Sequence, residues 1–311
     1  MREDPLAGLP DSVEIVEVGP RDGLQNERAS LPVEARVELV RRLAAAGLRR
    51  IEAGAFVSPK WVPQMAASDE LFRRLAGLPE LAGVRLSALV PNARGLERAR
   101  EAGVTEIAVF GAASETFSHR NLNASIAESL ARFRELVAAA RDLGLRVRGY
   151  VSCIAGCPYE GDVPTARVVE VAGALYDMGC AEIALGDTIG TGTPRHIARV
   201  VRACAGRVPV ARLALHLHDT YGQALANALA GLECGVRVLD AAVGGLGGCP
   251  YAPGASGNLA TEDLVYMLEG SGVRTGVDLD ALVETARWIC GRVGRTPTAR
   301  VTLARTAACA R

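Results

Sequence analysis

AAAGLRRIEAGAF, residues 44–56, sets a pattern that recurs as EAGVTEIAVFGA (101–112), DLGLRVRGYVSC (142–153), DMGCAEIALGDT (177–188) and ECGVRVLDAAVGG (233–245). In each stretch a helical run ends in a glycine, namely Gly47, Gly103, Gly144, Gly179 or Gly235, and an apolar run follows within a few residues. Such a glycine fits the left-handed position just past a helix end, where a side chain would clash. Three further apolar runs, VEIVEVG (13–19), VRLSALV (84–90) and VARLALHLHD (210–219), extend the series. The strands are therefore expected near 13–19, 50–55, 84–90, 106–111, 146–152, 182–186, 211–217 and 236–243. Helical patterns such as PVEARVELVRRLAAAG lie between them, and Ser125 with Glu128 forms a capping box ahead of another.

Alternating strand and helix implies parallel strands joined by crossover helices. Eight such units predict an α/β fold of the (β/α)8 TIM-barrel type. An open doubly wound sheet is the alternative, but it usually carries G-x-G-x-x-G after its first strand. Here that strand runs into Gly19-Pro20-Arg21-Asp22-Gly23. Residues 259–311 are mainly helical and are read as additional C-terminal helices on one catalytic domain spanning 1–311.

Hydrophobic residues make up 49% and charged residues 23% of the 311, an ordinary balance for a soluble globular chain. Basic and acidic side chains number 35 each, so no net charge draws the chain to nucleic acid or to an anionic membrane. No run approaches the ~18 apolar residues of a membrane span. Met1-Arg2-Glu3-Asp4-Pro5 lacks the pattern of an export signal, so a cytoplasmic protein is expected. A single lysine, Lys60, among many arginines points to a GC-rich bacterial genome. The eight cysteines are expected as free thiols, and Cys153 with Cys157 lacks the second pair a structural zinc site needs.

Chemistry in such barrels gathers where strands end. The first strand ends in Glu17, Arg21 and Asp22, the second carries Glu52, the sixth ends in Asp187, and the seventh in His216, His218 and Asp219. His216 and His218 are two apart, so in a strand both imidazoles face the same way. An isolated pair of this kind fits two hydrogen-bonded histidines as well as a metal site. Asp22 adds a hard oxygen from a nearby strand and Asn258 a carbonyl oxygen. Two nitrogens and two oxygens with open positions suit octahedral Mg2+ or Mn2+. Arg21 fits either a salt bridge or the stabilisation of an enolate oxygen. Glu52 and Asp187 fit a direct role or the orientation of a neighbour. Cys249 lies in GGLGGCPYAPGASGN (244–258), a loop suited to closing over a substrate, and its protonated thiol is a candidate proton donor. Lys60 falls in a loop, which disfavours a Schiff-base mechanism.

The segments VEIVEVGPRDGLQNE (13–27), FVSPKWVPQMA (56–66), RGYVSCIAGCPYEG (148–161), ALGDTIGTGTP (184–194), LHLHDTYGQALAN (215–227) and GLGGCPYAPGASGNLATED (245–263) resemble the hydroxymethylglutaryl-CoA lyase family. The last is close to the family signature, and the resemblance runs along nearly the whole chain. It implies that Asp22, His216, His218 and Asn258 bind a divalent cation, that Arg21 steadies an enolate, and that Cys249 transfers a proton. It gives Glu52 and Asp187 supporting catalytic roles, and leaves the general base open between His216 and Asp22. The implied reaction is retro-Claisen cleavage of an acyl-CoA substrate to acetyl-CoA and acetoacetate, as in leucine degradation and ketone-body formation. A homodimer is expected, and Cys309, near the tail where some relatives carry a redox-sensitive thiol, is the candidate cross-link. Three rivals stand beside this reading: a Claisen synthase of the isopropylmalate or homocitrate type, a lyase for a longer analogue, and a non-catalytic barrel. The synthases usually carry long C-terminal regions and lack the GLGGCPYAPGASGN loop.

Overall fold

Each apolar run of the repeat forms a strand, and the helical stretches cross back over the outside. The computed structural model describes residues 8–248 and 257–309, and for 308 and 309 the backbone only. The barrel strands are β1 (Glu14–Glu17), β2 (Arg50–Ala55), β3 (Arg85–Leu89), β4 (Glu106–Ala112), β5 (Arg146–Ser152), β6 (Glu182–Asp187), β7 (Leu213–Leu217) and β8 (Val238–Ala241). They pair in parallel in chain order, and β8 closes the barrel by pairing with both β7 and β1. The expected (β/α)8 barrel is therefore the observed fold.

β1 and β8 fall furthest short of the apolar pattern, each for a local reason. β1 stops at Glu17 because Gly19–Gly23 coils into a wide turn, with the Val18 carbonyl accepting from the amides of Arg21 and Gly23. β8 stops at Ala241 because Val243–Gly245 forms a tight turn in which Gly244 has φ +68°. Both turns begin at the C-terminal mouth, and the first carries Arg21 and Asp22.

Between sheet and helices the packing is apolar. From helix α1 (Val33–Ala45), Leu39, Val40 and Leu43 are fully buried, and Ile51 of β2 is buried with them. The barrel interior is different. Arg50 of β2 meets Glu182 of β6, and Arg148 of β5 meets Asp240 of β8, all nearly inaccessible to water. Ion pairs thus occupy positions that branched apolar side chains usually fill in this fold. The C-terminal part is helical as expected, with helices at Thr261–Gly270, Leu279–Val293 and Arg300–Cys309. Among the described residues, no helix is long and apolar enough to cross a membrane. Cys157, Cys180, Cys204, Cys234 and Cys290 carry free thiols, as expected from the sequence.

The glycines of the repeat do have positive φ, +101° at Gly47 and +81° at Gly103. They differ in surroundings. A β-carbon on Gly47 would sit 2.3 Å from the carbonyl oxygen of Gly276, whereas one on Gly103 meets nothing within 4 Å. Left-handed backbone costs a non-glycine residue about 1–2 kcal/mol. Gly103→Ala is expected to lose about that much stability, and Gly47→Ala clearly more, because backbone of the C-terminal segment must also shift. Urea melts of both variants check this; equal losses would contradict it.

Candidate metal centre at the barrel mouth

The coil Gly19–Gly23 lifts Arg21 and Asp22 over the mouth. Its geometry requires a small residue at its start, since a β-carbon on Gly19 would lie 2.5 Å from Glu17 Oε1. Glu17 is fully buried and does not line the cavity at the mouth. It accepts from the amides of Gly19 and Val243 and from the hydroxyl of Thr261, tying the first turn to the eighth.

β7 delivers His216, and His218 follows one step beyond its end; the two rings lie 5.3 Å apart on the same side. His218 bridges to Asn258 in a short antiparallel contact, and Leu259 N–H donates to the Leu217 carbonyl. The return chain from the glycine-rich stretch is thereby laid beside β7. Asn258 donates through Nδ2 to Asp22 Oδ2 (2.9 Å) and to the Leu246 carbonyl (3.1 Å). These two acceptors fix the amide, and its Oδ1 is buried with no partner among the described residues. His218 Nδ1 is buried and unpartnered as well.

The ligand atoms of Asp22, His216 and His218 all lie within 4.8 Å of one another. His216 Nε2 and Asp22 Oδ2 are 3.9 Å apart, a gap that a cation with bonds of about 2.1 Å would bridge. Buried polar atoms without partners are rare and call for an explanation. A cation among these atoms supplies one, so the residues fit a metal.

At Asp22 and His218 the electrostatics favour the protonation states that ligands need, whereas His216 is held toward its charged form. Burial pulls the Asp22 carboxyl upward, but Arg21, His216 and His218 outweigh it and hold the pKa down at about 2. Burial, then the neighbouring His216, presses His218 down to about 4, so its imidazole is neutral at pH 7. His216 is also pressed down by burial, yet its hydrogen bond to Asp240 and the charge of Asp22 leave it above the usual value.

Arg21 is held on three sides. Its Nε and Nη2 grip both oxygens of Glu52 (2.9 and 3.0 Å), and Nη1 donates to Asp22 (2.6 Å). Of its five N–H groups, one on each terminal nitrogen stays available among the described residues. Glu52 is thus the partner that orients Arg21. Asp187 turns toward its own loop and not into the cleft, accepting from the amides of Thr191 (3.2 Å) and Gly192 (2.8 Å). Burial raises its pKa to about 6 against those bonds. The sequence left both acids open between direct and orienting roles, and the contacts of each are those of an orienting group.

A cavity of about 180 Å³ opens over the centre, lined by Arg21, Asp22, His216 and His218 on its polar side and by Leu89, Phe110 and Phe117 on its apolar side. Tyr150 also lines it. The sequence reading missed Tyr150, Arg148 and Asp240. A signal was available: Arg146, Arg148 and Tyr150 alternate along β5, a polar series at strand period pointing into a barrel. Cys249, the expected proton donor, lies outside the described residues, as does the side chain of Cys309.

Residues 12–289 match the family model described as HMGL-like. The chain belongs to the HMGL-like family. Among the relatives of this HMGL-like chain, the hydroxymethylglutaryl-CoA lyase of Pseudomonas mevalonii is 55% identical over 300 residues, covering 96% of this chain and 99% of that protein. The crystal structure of hydroxymethylglutaryl-CoA lyase from Pseudomonas aeruginosa superimposes with a TM-score of 0.93 at 54% identity, covering 96% of this chain and 99% of that one. An HMG-CoA lyase from Acinetobacter baumannii, solved with coenzyme A and 3-methylmalate, aligns at a TM-score of 0.89 and 37% identity over 94% of this chain and 95% of that one.

Beside the centre, two buried carboxyl groups of this HMGL-like barrel carry a pH dependence. Burial raises Glu17 to about 7 and Glu262 to about 8, beyond what their hydrogen bonds take back. A carboxyl group raised in the folded state destabilises the fold once ionised. That cost is absent below the unfolded value of about 4.3 and complete above the folded one. Unfolding free energy is therefore expected to rise as pH falls from about 9 to about 5, and Glu262→Gln to flatten the rise. Urea melts across this range check it; parallel curves for the two proteins would contradict it.

Proposed function

We propose that the chain is a divalent-metal-dependent carbon–carbon lyase that cleaves 3-hydroxy-3-methylglutaryl-CoA to acetyl-CoA and acetoacetate. The lyase assignment follows from family membership along nearly the whole chain. The observation that carries the metal-dependent reading is the pair of orphaned buried atoms, Asn258 Oδ1 and His218 Nδ1, beside Asp22 and His216. These four residues would hold the ion, with Mg2+ or Mn2+ fitting a mixed nitrogen and oxygen set. When bound, the cation supplies Lewis acidity that lowers the pKa of the substrate's tertiary hydroxyl.

The chain's own residues supply the remaining steps. His216, backed by Asp240, and Asp22 are the two groups we consider for taking the hydroxyl proton; the neighbours that hold Asp22 ionised also make it the weaker base of the two. Loss of that proton turns the tertiary carbon into the ketone of acetoacetate as the C–C bond breaks. The bonding pair moves to the acetyl-CoA fragment as an enolate. The N–H groups of Arg21 left available by its grip on Glu52 would meet the enolate oxygen in the cavity that Arg21 lines. We assign the proton returned to the enolate carbon to the thiol of Cys249. Asp187 would keep the loop after β6 in place against the cleft. We read residues 1–311 as one catalytic unit that works in the cytoplasm as a homodimer.

Acetoacetate release from the acyl-CoA is expected to need Mg2+ or Mn2+ and to vanish with chelator. Arg21→Gln and Cys249→Ser are each expected to lower kcat at least about a hundredfold. A coupled acetoacetate assay checks all three, and release insensitive to chelator would contradict the reading.

A further inference from the structure

Arg148 sits in the middle of the barrel, 2% exposed, and touches neither the cleft nor solvent. Four of its five N–H groups are engaged. Nε donates to Glu182 (2.7 Å), Nη2 to Asp240 Oδ1 (2.7 Å), and Nη1 to both Asp240 Oδ2 (2.9 Å) and the Tyr150 hydroxyl (2.7 Å). Two chains of contact leave this one guanidinium, and each ends at a different part of the centre.

The first runs through Asp240. Gripped at both oxygens by Arg148, the carboxylate presents Oδ2 to His216 Nδ1 at 3.1 Å. A carboxylate only accepts, so Nδ1 carries the hydrogen and the lone pair is left on Nε2. That is the nitrogen facing Asp22. The second runs through Tyr150. Arg148 can only donate, so the phenol oxygen accepts from it and turns its own hydrogen to Glu52 Oε2 (2.8 Å). Glu52 in turn fixes Arg21 by two bonds. Below the hub, Glu182 is shared with Arg50, which anchors Arg148 from the lower barrel.

We infer that Arg148 is a positioning residue for both halves of the centre, setting the His216 tautomer through Asp240 and the Arg21 guanidinium through Tyr150 and Glu52. This rests on the metal-dependent lyase reading above. Packing alone does not account for such a network, because well-fitted apolar side chains in a core are often as stabilising as buried ion pairs. A fork of five fixed donors is what the geometry needs, and a lysine, with three donors on one atom, cannot reproduce it.

The test compares the wild type, Arg148→Lys and Tyr150→Phe by Mn2+ calorimetry, acetoacetate release and thermal melts. Arg148→Lys keeps the charge but loses the fork, and is expected to weaken Mn2+ binding about tenfold or more and to lower kcat as well. Tyr150→Phe cuts only the second chain, and is expected to keep Mn2+ affinity within about twofold while kcat falls about tenfold. A folded Arg148→Lys that binds Mn2+ like the wild type overturns the inference, and so does Tyr150→Phe with unchanged kcat. Should Arg148→Lys not fold, the Tyr150→Phe arm still decides. A wild type that binds Mn2+ but releases no acetoacetate defeats the lyase reading instead, and leaves the affinity comparison of Arg148→Lys to judge the hub.

Discussion

Pairing of β8 with both β7 and β1 is the constraint on which the centre depends. A parallel strand order that stayed open would leave Asp22 and the histidine pair at opposite edges of a sheet. Closure puts them side by side, and the chain returning from the glycine-rich stretch then lays Asn258 against Asp22, a contact between residues 236 apart in sequence. Loop-closure entropy on that scale is large. It is offset by the apolar layer between sheet and helices, where Leu39, Ile51, Val109, Leu185 and Leu215 are fully buried.

The interior of the barrel carries the second half of the design. Buried charges are costly unless paired and hydrogen-bonded. Here Arg50, Glu182, Arg148 and Asp240 pair across the barrel and end at His216 and, through Tyr150, at Arg21. The same desolvation that makes the network costly makes it directional, because each bond fixes the donor and acceptor of the next. The His216 imidazole and the Arg21 guanidinium thus take their orientation from one source. Asp187, by contrast, acts locally on the loop after β6, and Glu17 on the turns flanking the mouth.

Much of this was legible in the chain itself. The glycines at 47, 103, 144, 179 and 235 marked helix ends, and all have positive φ. The spacing of His216 and His218 implied a shared face, and the rings do share one. Other features depended on tertiary geometry. Nothing in a single acidic residue tells whether it faces a cleft or its own loop, so the roles of Glu52 and Asp187 stayed open until their partners were seen. Strand ends slipped at Glu17 and Ala241 because the following turns, not the apolar pattern, decide where pairing stops. Arg148 and Asp240 were overlooked because charged residues within apolar strands read as isolated exceptions, and only closure of the barrel shows that they face one another.

The account stands or falls on four side chains sharing one cation. The most direct measurement is a Mn2+ titration followed by electron paramagnetic resonance, on the wild type and on Asn258→Ala. One saturable ion per chain is expected, with affinity about tenfold or more weaker in the variant, which removes an oxygen ligand and frees Asp22 from its hydrogen bond. Absence of saturable binding in the wild type, or equal affinity in the two proteins, would contradict the account.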